Sequence, residues 1–162
     1  MSAETRVGLG FDVHPFASDR PLVLGGVEVP AERGLHGHSD ADVLSHAVAD
    51  ALLGALALGD LGRHFPDSDP RFRGASSLAL LAEVAARVRA RGGRVVNVDA
   101  TVVAEVPRLA PHLDAMRVRL AETLGVAGDR VSVKAKHAEG LGALGRQEGI
   151  AAMAVALVEV SE

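Results

Sequence analysis

The sequence contains no cysteine, tryptophan or tyrosine, and aromatic residues make up only 2% of it. Without cysteine there is no disulfide, no thiolate nucleophile and no cysteine-ligated zinc or iron–sulfur site. A transition metal would therefore have to be bound by histidine, aspartate or glutamate. The scarcity of aromatic rings leaves no platform for stacking single-stranded bases, and a formal net charge of −4 argues against non-specific nucleic-acid binding.

Long hydrophobic runs are also absent. The longest apolar stretch, residues 150–158, is far shorter than the roughly 20 residues that span a bilayer. Residues 1–6 are polar and resemble no signal peptide, so we expect a cytoplasmic protein without membrane contact. Hydrophobic residues make up 48% of the 162 positions and no repeat is visible, which predicts a single domain over residues 1–162. A domain this small gains by self-association.

The pattern of apolar residues predicts an α+β fold. Strands are predicted at residues 6–14, 22–24, 27–29, 95–104, 131–136 and 150–160. A first helix is predicted from Ser39, as N-cap with Asp42 three residues on, to about Leu58. A second helix starts at Ser76 or Ser77 and runs through Ala90, and a third covers roughly residues 112–124. Residues 59–74 form a long predicted loop, of the kind that is often functional. Because strands pair locally at first and later alternate with helices, we expect a mixed sheet with helices packed on one face.

Polar residues on two predicted elements suggest a metal site. Asp12 and His14 lie two apart on a strand, so both side chains leave the same face. Asp42, His46 and Asp50 form one stripe along the first helix. One interpretation is a metal bound by Asp12, His14 and His46, with a fourth position open and an aspartate of the stripe orienting the histidines. The other is a helix cap, a locally satisfied histidine and an accidental D-x-H spacing.

Three further segments carry residues that could bind a ligand but that also have an ordinary structural explanation. Asp67 and Asp69 lie in a proline-stiffened turn, which is either an ordinary turn or part of a binding wall. The two lysines of the chain, Lys134 and Lys136, share one strand face ahead of Glu139, a pattern that suits phosphates and a Mg²⁺-type cation but equally a solvated surface. Residues 140–145 (GLGALG) match the dinucleotide fingerprint in letters only, because no crossover helix and acidic residue follow.

Several motifs together resemble the cyclodiphosphate synthases of the non-mevalonate isoprenoid pathway. They are residues 8–14 (GLGFDVH), 38–43 (HSDADV), 58–62 (LGDLG), 65–70 (FPDSDP), 111–112 (PH), 116–117 (MR) and 145–150 (GRQEGI). The match runs in order over essentially the whole chain. The resemblance implies a homotrimer with active sites between neighbouring subunits. It also implies conversion of a cytidine diphosphate ester of methylerythritol 2-phosphate into a cyclic diphosphate with release of CMP.

The resemblance also implies roles for individual residues. Asp12, His14 and His46 match zinc ligands, and Glu139 matches a ligand of a second ion, Mg²⁺ or Mn²⁺, that bridges the substrate diphosphate. His38 and His137 occupy positions that stabilise the transition state. The implied substrate-binding residues are Asp12, Val13, His14, His38, Ser39, Asp60, Leu61, Gly62, Phe65, Pro66, Asp67, Ser68, Asp69, Ala104, Arg108, Lys136, His137, Ala138, Glu139, Ala143 and Arg146.

Three positions depart from the family pattern. His137 replaces the usual threonine, and its imidazole can still donate a hydrogen bond to phosphate. Arg108 replaces a lysine, and Ala143 a larger apolar residue in some members. The alternatives to a cyclodiphosphate synthase are a metal-dependent phosphohydrolase, which would need a base to position water, and a non-enzymatic trimeric binding module, which would not need an open metal position.

Overall fold

A five-stranded sheet organises the molecule, for which a computed structural model describes residues 2–161. The strands are β1 (Ala3–Ala17), β4 (Gly34–Leu35), β5 (Gly93–Val103), β6 (Val131–Lys136) and β7 (Gly149–Ser161), in the spatial order β4-β1-β7-β5-β6. The β5–β6 pair is parallel and the other neighbours are antiparallel, which confirms the predicted mixed sheet. β2 (Leu22–Leu24) and β3 (Val27–Val29) form the predicted hairpin.

Helices cover one face of this sheet. They are α1 (Val43–Ala55), α2 (Leu61–His64), α3 (Ser77–Ala90), α4 (Leu113–Leu124) and α5 (Gly142–Gly145), with short 3₁₀ turns at Pro70–Phe72, Ala110–His112 and Gly128–Arg130. α1 packs on β1 and β7, α3 on β5 and α4 on β6. Buried residues alternate with exposed ones along β1 and β5, as expected for a sheet covered on one side. The predicted α+β fold with helices on one face is therefore confirmed.

The opposite face of the sheet carries large apolar side chains. Its exposed members on β1 and β7 are Val7, Leu9, Phe11, Val13, Met153 and Val155. We call this set the open apolar face. Contiguous exposed apolar patches are uncommon on soluble monomers, and they mark surfaces that contact another molecule.

Two glycines bring β1 directly against α1. A Cβ added at Gly8 would lie 1.8 Å from the carbonyl oxygen of Ala51, and one at Gly10 would lie 1.8 Å from that of Ala47. Any side chain at these positions would therefore push the strand away from the helix. The close approach places the helix-facing side chains of β1 within reach of those on α1.

The start and end of α1 differ from the sequence-based prediction. Asp42, and not Ser39, is the N-cap, because its carboxylate accepts from the backbone N–H of Ser45. The same buried carboxylate also accepts from the N–H groups of Gly25 and Gly26 and from the Ser45 hydroxyl, and so ties the hairpin to the helix. The helix ends at Ala55 rather than near Leu58.

Other element boundaries shift as well. β1 continues past His14 through Pro15 to Ala17, because the end of the strand pairs with β4. The predicted loop over residues 59–74 contains α2 and a 3₁₀ turn, whose N-caps are Asp60 and Asp69. Within residues 2–161, no helix combines the length and the apolar character that a bilayer crossing requires.

Candidate metal centre and substrate cleft

Three side chains converge where β1 meets α1. Asp12 and His14 project from the helix-covered face of β1, and His46 projects towards them from α1. The Asp12 Oδ2 atom lies 3.1 Å from His14 Nε2 and 2.8 Å from His46 Nδ1. One potential ligand atom from each residue falls within 4.8 Å of the other two. The structure thus brings together the three residues that the sequence predicted as metal ligands.

The ring nitrogen that each histidine offers is set by what its other nitrogen contacts. His14 Nδ1 lies 2.7 Å from the backbone carbonyl oxygen of His36, which can only accept, so Nδ1 carries a proton and Nε2 faces the centre. His46 Nε2 lies 2.7 Å from the Ser77 hydroxyl, which leaves Nδ1 facing the centre. Outer contacts of this kind orient metal-bound imidazoles and fix their tautomers.

The electrostatics of the cluster favour a negative charge on Asp12. Burial alone would raise the pKa of Asp12, but hydrogen bonds and charge interactions with His14 and His46 outweigh it and lower the pKa to about 2. The hydrogen bond with Asp12 raises the pKa of His14 above its ordinary value, against the opposing effect of burial. An ionised carboxylate between two imidazoles is also the arrangement that a divalent cation would hold together.

The donor set fits a transition metal. Two imidazole nitrogens and one carboxylate oxygen on a single centre form the mixed set that zinc uses in catalytic sites, where a fourth position stays open. The side chains of Asp12 and His14 keep 24% and 22% of their surface exposed, so the cluster is open to the adjoining cleft. Within residues 2–161, these three residues form the one group of metal-ligating side chains at such short mutual distances.

A cleft of about 190 Å³ opens from this cluster. Ten of its lining residues were implied by the resemblance: Asp12, His14, His38, Ser39, His46, Asp60, Leu61, Gly62, Phe65 and Asp67. Asp50, Phe72 and Leu80 complete the lining. The predicted functional loop over residues 59–74 therefore forms one wall of the cleft. Pro66, Ser68 and Asp69 belong to the same turn but lie outside the lining.

The backbone around His38 is held from several sides. His38 Nε2–H donates to the carbonyl oxygen of Asp69 at 2.9 Å. Arg20 donates to the carbonyl oxygens of Gly37 and Ser39, both at 2.7 Å, and so bonds to the residues on either side of His38. This contact fixes the loop from which His38 and Ser39 reach the cleft.

Of the polar stripe predicted on α1, His46 and Asp50 reach the cleft and Asp42 does not. Asp42 is fully buried on the hairpin side of the helix, so the hypothesis that it orients the histidine ligands is wrong. Asp50 accepts the backbone N–H of Leu61 at 2.7 Å and fixes the start of α2. Burial, with the charges of Asp60 and Asp12, raises the pKa of Asp50.

A second recess of about 360 Å³ lies at the β6 edge of the sheet. It is lined by residues 104–110 and 135–137, which include Ala104, Arg108, Lys136 and His137. Ala138 adjoins it and donates its backbone N–H to the Glu105 carboxylate. Within residues 2–161, the linings of the recess and of the first cleft have no residue in common.

Comparison with known proteins identifies the family. A family model described as the YgbB family matches residues 5–159. The chain belongs to the YgbB family. A Burkholderia thailandensis protein named 2-C-methyl-D-erythritol 2,4-cyclodiphosphate synthase is 62% identical over 153 residues, which cover 94% of each chain. A Burkholderia mallei protein of the same name is 61% identical over the same length.

Solved structures of related proteins agree closely with this one. The bifunctional IspDF of Campylobacter jejuni superposes with a TM-score of 0.95 at 42% identity over 99% of this chain, which spans 44% of that longer protein. A 2C-methyl-D-erythritol-2,4-cyclodiphosphate synthase in a CDP-bound form gives a TM-score of 0.87 at 38% identity, covering 94% of this chain and 99% of that one.

The remaining predicted site residues of this YgbB chain are not part of the lining of the first cleft. Val13 and Ala143 line a shallow recess near the start of β7. Arg146 is exposed and pairs with Glu148 at 2.7 Å. Glu139 is exposed, with its carboxylate 3.5 Å from His137 Nδ1.

Lys134 was one of two lysines considered for phosphate binding. Its Nζ atom lies 2.8 Å from Asp99 Oδ2, and the residue lines neither the first cleft nor the second recess. One oxygen of that carboxylate, Oδ1, is buried without a hydrogen-bond partner among the described residues.

Sequence reasoning missed several residues that shape the site. Ser77 was considered only as a helix start, yet its hydroxyl contacts His46. Asp40 stood in a quoted motif without a role, and it contacts Ser77. No sequence signal pointed to Arg20, because its function depends on two backbone carbonyl groups 17 and 19 residues away.

Proposed function

We propose that this chain is a 2-C-methyl-D-erythritol 2,4-cyclodiphosphate synthase, a lyase of the non-mevalonate isoprenoid pathway. The observation that carries the proposal is the convergence of Asp12, His14 and His46 at the head of a cleft lined by His38, Ser39 and the 59–74 segment. Curated relatives that bear this name match at 61–62% identity over nearly their full length.

The reaction exchanges one phosphorus–oxygen bond for another. An oxygen of the substrate's 2-phosphate attacks the β-phosphorus of the cytidine diphosphate group. The bond from that phosphorus to the bridging oxygen breaks, and CMP leaves with the electron pair. The nucleophile is already an anion, so no serine or cysteine nucleophile and no general base is needed. The main barriers are charge repulsion and ring-forming geometry.

The side chains of the cleft suit these two requirements. A divalent ion on Asp12, His14 and His46 would supply Lewis-acid stabilisation of phosphate charge, and the N₂O donor set favours zinc. A hard ion such as Mg²⁺ or Mn²⁺ on Glu139 would suit the diphosphate oxygens. His38 and residues 60–69 would hold the methylerythritol phosphate. The recess at residues 104–110 and 135–137, together with the adjoining Ala138 and Glu139, would bind the cytidine diphosphate. Arg108 and Lys136 supply the positive charge of that recess.

The quaternary structure proposed is a homotrimer with active sites between subunits. Two observations support it: the open apolar face, and the separation of the cleft from the recess by the width of the sheet. β1 and β6 are three strands apart, about 14 Å at the usual spacing. If the recess of one subunit meets the cleft of its neighbour, the interface is heterologous, and three such interfaces form a ring when the rotation between subunits closes. A cytoplasmic location is proposed with this function.

The test follows the substrate's phosphorus atoms. Purified protein with Mg²⁺ and the cytidine diphosphate methylerythritol 2-phosphate is monitored by phosphorus NMR, alongside His46→Ala and the control His112→Ala. We expect CMP and a cyclic diphosphate from the wild type and the control, and no turnover from His46→Ala. Release of inorganic phosphate or CDP would instead favour the phosphohydrolase. A folded, zinc-loaded wild type without turnover would overturn the proposal.

A further inference from the structure

Ser77 lies between His46 and Asp40, behind the proposed metal centre. It is the first residue of α3 and only 1% exposed. Its Oγ atom is 2.7 Å from His46 Nε2 and in contact with Asp40 Oδ1, while its backbone N–H donates to Asp40 Oδ2 at 3.1 Å. The two oxygens of Asp40 therefore hold both the backbone and the hydroxyl group of Ser77.

The numbers of available donors and acceptors show which atom donates in each hydrogen bond from Asp40 through Ser77 to His46. A carboxylate can only accept, so the single hydroxyl hydrogen of Ser77 goes to Asp40. The oxygen of Ser77 then has lone pairs left for His46, and the contact at 2.7 Å requires the proton to be on His46 Nε2. The Ser39 hydroxyl, 3.3 Å from the same nitrogen, adds a weaker contact.

This direction has a consequence at the other ring nitrogen. The other nitrogen, Nδ1, lies at a hydrogen-bond distance of 2.8 Å from the Asp12 Oδ2 atom. Because Ser77 keeps the proton on Nε2, Nδ1 is the nitrogen that can give up its proton and offer a lone pair to a metal. The lone pair is needed on that side if a metal is to be shared with Asp12 and His14. An imidazole with the opposite tautomer would direct an N–H group at the metal position.

Helix capping does not account for the Ser77 hydroxyl. The N-cap of α3 is Ser76, whose side chain accepts from the N–H of Ala79 at 3.3 Å. The two adjacent serines therefore have different roles: the hydroxyl of Ser76 caps the start of α3, and the hydroxyl of Ser77 contacts His46. The pair also provides a matched control, because both substitutions fall at the same turn of the same helix.

We propose that Asp40 and Ser77 are positioning residues that fix His46 in the tautomer that binds metal through Nδ1, an inference that rests on the metal site of the proposed function. Such outer hydrogen-bond partners commonly change metal affinity by about 10- to 100-fold when they are removed. Neither residue touches the substrate cleft in the described structure, so the effect should appear in metal affinity before it appears in substrate binding.

The experiment compares zinc affinity among variants of the full chain by competition with a chromophoric chelator. We expect Ser77→Ala to weaken zinc binding by about 10- to 100-fold. Asp40→Asn should weaken it too, because an amide nitrogen would face one of the donors of Ser77. Ser76→Ala should bind zinc as the wild type does, and Ser77→Thr, which keeps the hydroxyl, should restore affinity even if Ser77→Ala folds poorly.

A second readout reports the tautomer itself. In zinc-loaded protein labelled with ¹⁵N-histidine, the ring correlations of His46 should show a protonated Nε2 and a metal-shifted Nδ1. Zinc ligation through Nε2, or wild-type zinc affinity in Ser77→Ala, would overturn the proposal that Asp40 and Ser77 position His46. Wild-type affinity in His46→Ala would instead disprove the metal site, so failure of the proposed function is distinguished from failure of this inference.

Discussion

His137 is one of the three positions at which this chain departs from the family pattern. It lines the recess at the β6 edge, exposed, with Nδ1 3.5 Å from the Glu139 carboxylate. An imidazole N–H at this position can donate to a phosphate oxygen, as the hydroxyl of the usual threonine would. The imidazole of His137 would then make the same type of hydrogen bond as a threonine hydroxyl, although its longer side chain reaches further.

This interpretation predicts how variants at position 137 behave. His137→Ala removes the donor and should lower kcat by about 100-fold, the usual effect of losing one donor to a charged transition state. His137→Thr should keep most of the activity, and zinc affinity should be unchanged in both. Steady-state kinetics with the diphosphate substrate provides the measurement. Equal kcat values for His137→Ala and the wild type would exclude His137 from the reaction.

Asp69 gives a prediction about pH at the rim of the cleft. Hydrogen bonds from the side chain and backbone of Arg71 lower the pKa of Asp69 below its ordinary value of 3.8. Because the folded-state pKa is depressed, the stabilising contribution is complete above pH 3.8 and is lost as the pH falls through the folded-state pKa. Both groups are near solvent, so the stability effect is small.

The measurement is a carboxyl-carbon NMR titration of Asp69. In Arg71→Ala its pKa should rise towards 3.8, while Arg73→Ala, which removes an exposed neighbouring arginine, should leave it unchanged. An unaltered titration in Arg71→Ala would show that the pair does not persist in solution. The same turn accepts the hydrogen bond from His38 at the Asp69 carbonyl, so the titration also reports on that wall of the cleft.

At the level of elements, the approach of β1 to α1 determines the metal centre. Gly10 lies two residues before Asp12, and the Ala47 carbonyl that it faces belongs to the residue after His46. Gly10→Ala should separate strand and helix and destabilise the protein by about 3 kcal/mol, the upper end of the usual cost of overpacking, because the clash is with backbone. Zinc affinity should fall with it.

Gly54→Ala is the matched control, since Gly54 lies on α1 with its nearest neighbour, the Leu9 carbonyl oxygen, 4.0 Å from an added Cβ. Replacing a helical glycine without a clash should stabilise the protein by about 0.5–1 kcal/mol. Urea unfolding of both variants gives the comparison. A Gly10→Ala protein as stable as the wild type would mean that the strand and helix are further apart than the structure places them.

The sequence predicted elements better than their ends and partners. Alternation on β1 predicted that Asp12 and His14 share one face, and spacing on α1 placed His46 in a polar stripe, since both periodicities are local. That the two faces meet depends on tertiary packing, so the sequence alone left the metal site as one of two interpretations. The cap of α1 was predicted at Ser39, because sequence cannot show that Asp42 is also claimed by the Gly25–Gly26 turn. The contacts of Ser77 and Arg20 depend on tertiary neighbours, so no local pattern could reveal them.

For the whole molecule, the open apolar face and the separation of the cleft from the recess both support the proposed homotrimer with active sites between subunits. The resemblance supplied the trimer as an expectation, and composition alone suggested only that a small domain would associate. The structure adds that the second recess, with Lys136, lies at the β6 edge of the sheet, three strands away from the strand β1 that faces His46. If one active site combines the cleft of one subunit with the recess of the next, two differently damaged chains can complement each other.

The complementation experiment uses His46→Ala and Lys136→Glu, each of which should be inactive alone. In a co-refolded equal mixture, an interface between a Lys136→Glu subunit that provides the cleft and a His46→Ala subunit that provides the recess is intact. Random assembly of a ring with heterologous interfaces makes about a quarter of the sites intact, so about a quarter of wild-type activity should return. A mixture in which both substitutions are on one chain and His46→Ala is on the other should stay inactive. If each site lay within a single chain, neither mixture would recover activity, because every subunit would carry a damaged half.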